Sequence, residues 1–273
     1  KTFTAFSLMC VTAIFCLRPD GWAGERIIIL APGAADIVAK LGAGDQVVGV
    51  TAHIDHFPAA QKVGSHMGPV IEVMASLKPT LLITTGRFAP EMADRLGARQ
   101  YVYDPQHLED ILADIRELAE ILDKEKEGAA LAAGLENLLA GLQPIENPPS
   151  VMYETRSNPL SLAKNNSIIK SMLQAAGFHY AYDGVSGMVS VEWLMAHPPD
   201  FYIYQIGPMN RNPIPPDQRP GWQNFDPCVW AVSELAFARA NTDLFERVVE
   251  MNQMLAGKTP CASGKLLYKD GKP

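Results

Sequence analysis

The sequence predicts an α/β protein of two similar lobes, each built on a parallel sheet, joined by one long backbone helix with a cleft between the lobes. Three features carry this. Short apolar runs alternate with helical patterns from Arg26 onward. The alternation gives way to a Pro-free helical block over His107–Leu142, then resumes after Pro148-Pro149. The two alternating stretches also share an internal rhyme. Strands separated by helices need crossover connections, and such connections join parallel neighbours.

In the first lobe, Ile27–Leu30 is an apolar strand ending in the loop Ala31-Pro32-Gly33. Ala34–Leu41 has apolar residues at helical spacing and stops at Gly42. Val47–Val50 is a strand, Val70–Leu77 a helix ending before Lys78-Pro79, and Leu81–Ile83 a strand entering Thr84-Thr85-Gly86-Arg87. A helix over Pro90–Leu96, closed by Gly97, and a strand over Tyr101–Tyr103 complete the half.

The middle block places Leu108, Ile111, Leu112, Ile115, Leu118, Ile121 and Leu122 at a period of 3.6, which is a helix. The charged run at 123–127 reads as a solvated bend, and Gly128–Leu142 as a second helix running to Pro144. Beyond it come a strand at Val151–Tyr153, helices at Ile168–Ala176 and Val191–Ala196, a strand at Phe201–Tyr204, a Pro/Gly/Asn-rich loop over 207–227 and an amphipathic helix at Leu244–Leu255. The rhyme lies between residues 70–83 and 190–203. Each has Glu in third position (Glu72, Glu192), a short helix, a proline and an apolar strand. The expected division is therefore a first lobe over 24–127, a bridging helix over 128–145, a second lobe over 146–257 and an irregular tail over 258–273.

The chain has 273 residues, 48% of them hydrophobic, and a net charge of −7. That suits a cored globular protein and excludes a broad nucleic-acid footprint, which needs a basic face. Lys1, the apolar stretch Phe3–Leu17 and the small residues Gly21 and Ala23 read as a secretory signal over residues 1–23. Ser7-Leu8-Met9 before Cys10 lacks the small residue that lipid attachment favours. Export leaves Cys228 and Cys261, and two cysteines in an oxidising compartment read most simply as a disulfide.

Enzyme motifs are sparse: G-x-S-x-G, the P-loop pattern and H-E-x-x-H are all missing. Of six histidines, His53, His56 and His66 fall in one loop region. His-x-x-His in a loop is a weak metal signal, so contact with a bound ligand is preferred to coordination of a bare ion, and no metal site is assigned. An exported enzyme using His53 and Asp55 in the cleft is the alternative from another class.

Arg26–Val50, Glu72–Ile83, Ala163–Gly177 and Ser190–Ile203 together resemble the periplasmic binding proteins with a rigid helical backbone, which serve ABC importers of iron-siderophore complexes, haem and cobalamin. The resemblance implies small hinge motions about one stiff helix, no catalysis, no covalent cofactor and a periplasmic location. It implies that Glu72 and Glu192 dock on the arginines of a permease dimer. The matching loops supply His53, His56, Arg87, Tyr153, Arg156, Trp222 and Trp230 as ligand-binding residues, with Arg211 a weaker candidate. Aromatic faces with Arg suit an anionic metal chelate, expected to be of the iron-siderophore type, with a corrinoid or haem as the alternative. The loops Thr84–Arg87 and Gly184–Met188 lack the tryptophan of close cobalamin binders.

Overall fold

The structure is a computed structural model and describes residues 24–257 apart from 66, 67 and 89. The first lobe begins with β1 (Ile27–Ile29), α1 (Pro32–Lys40), β2 (Val47–Val50) and β3 (Gln61–Lys62). A small antiparallel hairpin of β4 (Gly64–Ser65) and β5 (Gly68–Pro69) follows, then α2 (Ile71–Ser76), β6 (Leu81–Thr84), α3 (Glu91–Leu96) and β7 (Arg99–Val102). The sheet runs β3-β2-β1-β6-β7, and every pair in it is parallel. Alternation along β1 sends Ile28 to a small cluster with Leu82 and Met74, and Ile27 and Ile29 to the main core. Both faces are covered, which is why the strands read as continuous apolar runs.

The connection is a helical hairpin, α4 (Leu108–Ile121) and α5 (Glu125–Ala140). Gly128 fits close beneath α4, where a Cβ would come within 2.3 Å of that of Ala119. The start of α4 meets the second lobe, where the Leu108 amide donates to Ser171 Oγ, and the start of α5 lies against Leu41 of the first. Beyond α5, the Asn252 amide bonds both Gln143 and Ala176. Both helices thus span the lobes, and the bridge expected over 128–145 has a partner in α4.

The second lobe comprises β8 (Ser150–Ser157), β9 (Leu160–Leu162), α6 (Ile168–Ala175), β10 (His179–Tyr180), α7 (Val191–Ala196), β11 (Phe201–Ile206), β12 (Cys228–Ser233), α8 (Glu234–Phe237) and α9 (Asp243–Ala256). Its parallel sheet runs β10-β8-β11-β12, with β9 antiparallel to β8. The expected fold class, two parallel-sheet lobes about a helical connection, is the one observed. The sequence reading missed β12, whose CVWAVS run directly follows the Pro-rich loop. The rhyme is structural: from residues 71 and 191 onward both segments give a six-residue helix with an exposed Glu second, a buried apolar residue fourth and a buried proline ninth.

The signal segment, His66, Cys261 and the tail lie outside the described residues. Cys228 is disulfide-bonded; its pairing with Cys261 remains an expectation.

Candidate functional site

In a parallel sheet all strand ends of one kind lie on one edge, and ligand sites in such sheets form beyond the C-terminal edge. Here those two edges face each other. Gly33 follows β1 and Tyr103 follows β7, while the segment 238–242 follows β12 and α8. These meet. Tyr103 donates its hydroxyl to the Ala240 carbonyl at 2.7 Å, and a Cβ on Gly33 would stand 2.1 Å from that oxygen. One helical turn further along α1, buried Asp36 accepts the Thr242 amide at 3.1 Å and its hydroxyl at 2.6 Å, and Lys40 pairs with Asp36 and Asp243. The Lys40 side chain is 41% exposed. Burial lowers its affinity for the proton, but the two carboxylates outweigh this and hold its pKa above the ordinary value. The lobes are bolted at this junction.

The loops around the gap differ in chemistry. On the first lobe, His53, Asp55, His56 and Arg87 are exposed. Asp55 faces solvent at 93% side-chain exposure and pairs loosely with Lys62 at 3.6 Å. On the second lobe, Arg156 is exposed near the end of β8, and the loops beyond β10, β11 and β12 display Val185, Met188, Met209, Ile214 and Leu235, 45–85% exposed. Among the described residues no group of three His, Cys, Asp or Glu side chains could hold a metal ion.

Three expected ligand residues are corrected. Tyr153 is fully buried at the centre of its sheet, donating its hydroxyl to Gln205 at 3.2 Å. Trp230, on β12, packs edge-on against Phe178 and Phe201. Trp222 packs edge-on against Tyr202 and Phe225, and the Arg219 guanidinium lies 4.6 Å from its ring. Apolar burial claims all three rings, because the second sheet has a face to fill on each side.

What the sequence reading missed is the charge pair anchoring the long loop. Glu154, fully buried on β8, receives both terminal nitrogens of Arg219, one at 2.9 Å, with further bonds from the Tyr202 hydroxyl at 2.6 Å and Asn210 at 3.3 Å. Burial pulls the Arg219 pKa down, but the bonds to Glu154 outweigh it and hold the guanidinium above its ordinary value. Arg219 Nε also donates to the Ile214 carbonyl. The pair fixes the 207–227 loop over the sheet, with Met209 and Ile214 at its outer rim.

Glu72 and Glu192 are exposed in the first turns of α2 and α7. Hydrogen bonds from its own backbone amide and the Ser190 hydroxyl hold the Glu192 carboxyl below its ordinary value, so it is anionic at neutral pH. A cavity of about 420 Å³ lined by Gln46, Arg99 and Glu120 lies at the opposite, N-terminal edge of the first sheet, away from the gap.

Two parallel-sheet lobes, bolted at one point and opposing their loop edges, define a bilobal solute-binding protein. The chain belongs to the periplasmic binding protein family, whose model matches residues 27–226. Over 188 residues it is 27% identical to a vitamin B12-binding protein of Vibrio vulnificus, covering 64% of this chain and 69% of that one. Over a shorter stretch of 117 residues it is 31% identical to a vitamin B12-binding protein of Yersinia pestis, covering 40% and 42%. Among solved structures it resembles the periplasmic haem-binding protein HutB of Vibrio cholerae, with a TM-score of 0.72, 17% identity and coverage of 85% of this chain and 99% of that one. The periplasmic vitamin B12-binding protein BtuF of Vibrio cholerae gives 0.67, 21%, 85% and 98%. These relatives are binding proteins, which sets aside the alternative of a cleft enzyme using His53 and Asp55.

Proposed function

We propose that the chain captures a flat, anionic metal macrocycle of the haem type between its lobes and delivers it to the permease dimer of an ABC importer. The observation that carries this reading is the contrast between the exposed loop residues of the two lobes. The second lobe leaves Val185 85%, Met188 66%, Met209 56% and Ile214 54% exposed. Large exposed apolar side chains on the loops beyond one edge of a sheet suit an apolar ligand face. The loops of the first lobe expose the imidazoles of His53 and His56 and the guanidinium of Arg87, and the second lobe exposes Arg156 near the end of β8. An aromatic macrocycle can lay its face on the apolar wall, offer carboxylates to the guanidiniums and leave iron within reach of an imidazole. The cargo is a ligand in transit, and no covalent cofactor is assigned.

An iron-siderophore cargo fits less well, since a polar chelate gains little from exposed Val and Met. A corrinoid is the second reading, supported by the vitamin B12-binding relatives. Glu72 and Glu192 have equivalent places in the repeated segments. As two separated carboxylates they suit charge-assisted docking on permease arginines, fixing orientation as well as attraction.

The test is parallel titration of apoprotein with haem and with cyanocobalamin, followed by absorbance and tryptophan fluorescence. Haem is expected to bind one-to-one with a shifted Soret band and to be recovered unchanged. Cyanocobalamin binding with no haem binding would transfer the assignment to the corrinoid.

A further inference from the structure

The segment 238–242 runs directly into α9, and the two ends of that helix are held by different parts of the molecule. At its start the holding groups belong to the first lobe. Asp36 of α1, 5% exposed, accepts both the amide and the hydroxyl of Thr242, the residue just before α9. Lys40, one turn along α1, bonds the Thr242 hydroxyl and pairs with Asp243 in the first turn of α9 at 3.1 Å. Thr242 makes no capping bond with its own side chain. A carboxylate from the other lobe stands at this helix start instead, where the helix dipole favours an anion. Farther along, α9 is tied to the exit of the bridge and to the second lobe. Buried Asn252 accepts the Gln143 amide at 2.8 Å and donates to the Gln143 and Ala176 carbonyls. The body of α9 packs on α5, α6 and α8.

α1 is thereby gripped from two sides. Leu41 at its end lies against Gly128 near the start of α5, while Asp36 and Lys40 hold α9. A helical hairpin alone leaves the two lobes free to turn about it, and motion between lobes is the ordinary outcome unless an interface opposes it. Turning here would draw Thr242 away from Asp36 and leave a carboxylate in the interior that had lost two hydrogen bonds. Unmade bonds to a buried charge are costly.

We propose that Asp36 is an interlobe latch. By taking the start of α9 from across the junction, it turns that helix into a brace and fixes the angle between the lobes before any cargo enters. The helical hairpin joins the lobes, and the latch stops them turning about it. The latch acts whichever cargo the protein carries.

Double electron–electron resonance tests this on the full chain without cargo, with nitroxides at Asp94→Cys in α3 and Asn166→Cys ahead of α6, both exposed positions. A single narrow distance is expected in the otherwise wild-type chain and in Thr242→Ser, which keeps the hydroxyl. Asp36→Ala removes both bonds and should broaden or shift the distribution most. Thr242→Val loses the hydroxyl but keeps the amide, and should fall between. Thermal unfolding identifies a variant that does not fold; if Asp36→Ala is one, Thr242→Val decides alone. Folded variants with the wild-type distribution would assign the lobe angle to the hairpin and overturn the latch. So would a broad distribution in the wild type, or broadening in Thr242→Ser equal to that in Thr242→Val.

Discussion

Replacing Arg219 by methionine tests how the ligand-facing loop is held. Methionine keeps much of the side-chain volume over Trp222 but removes both bonds to Glu154. Glu154 is fully buried and the Arg219 side chain is 9% exposed, so the carboxylate would stay in the interior with only Tyr202 and Asn210 to satisfy it. Breaking a buried pair from one side costs about 3–5 kcal/mol. For a domain of this size that corresponds to a fall in Tm of about 6–20 °C. Urea unfolding followed by tryptophan fluorescence reads the stability, and haem titration reads the loop. Affinity should fall too, since Met209 and Ile214 ride on the released segment. The informative control is Glu154→Met with Arg219→Met. Deleting both charges removes the stranded carboxylate and should recover a large part of the loss. A single variant within about 1 kcal/mol of wild type, or a double variant worse than the single, would refute the view that desolvated charge dominates here.

Glu72→Ala combined with Glu192→Ala should abolish importer-dependent uptake in cells or proteoliposomes while ligand affinity stays at the wild-type value; a loss of affinity would place these acids in the pocket. Gly33→Ala drives a methyl group into the Ala240 carbonyl and should destabilise by about 1–3 kcal/mol, read by calorimetry, with a changed lobe angle in small-angle scattering. Burial raises the Asp114 carboxyl from 3.8 to about 6 against the lowering effect of the Tyr101 hydroxyl bond, with Glu117 and Asp110 adding to the rise. The folded state therefore binds more protons than the unfolded one between those values, and stability falls as pH rises from about 4 to 6. Allowing for solvent screening of a half-exposed group, Asp114→Asn should gain about 1 kcal/mol at pH 8 and nothing at pH 4 in urea melts. An equal gain at both pH values would assign the effect to packing.

Much of the architecture was legible because burial on both faces of a parallel sheet writes itself into the chain as apolar runs. β2 and α7 match their expected limits, and the Glu72 and Glu192 segments fold alike because their spacing of Glu, apolar residue and proline is alike. Two strands escaped for different reasons. β3 is two polar residues placed by their neighbour β2, and β12 was hidden behind a Pro-rich loop that no periodicity marks. The candidate site divided along the same line. Exposed loop groups such as His53, Arg87 and Arg156 were readable as polar residues after strands. Whether a tryptophan lines a cleft or fills a core was not, since the same residue serves both ends.

The sequence by itself determined the repeated lobes, the helical connection and the pair of equivalent acids, all of which follow from local periodicity and spacing. Only the tertiary structure decided that Tyr153, Trp222 and Trp230 belong to the interior and that Glu154 finds Arg219. Only it brought the segment 238–242 of the second lobe against Tyr103 and Asp36 of the first. The Glu154–Arg219 and Asp36–Thr242 contacts join residues 65 and 206 positions apart. Pairings at such separations are set by how whole faces pack, which no local pattern records.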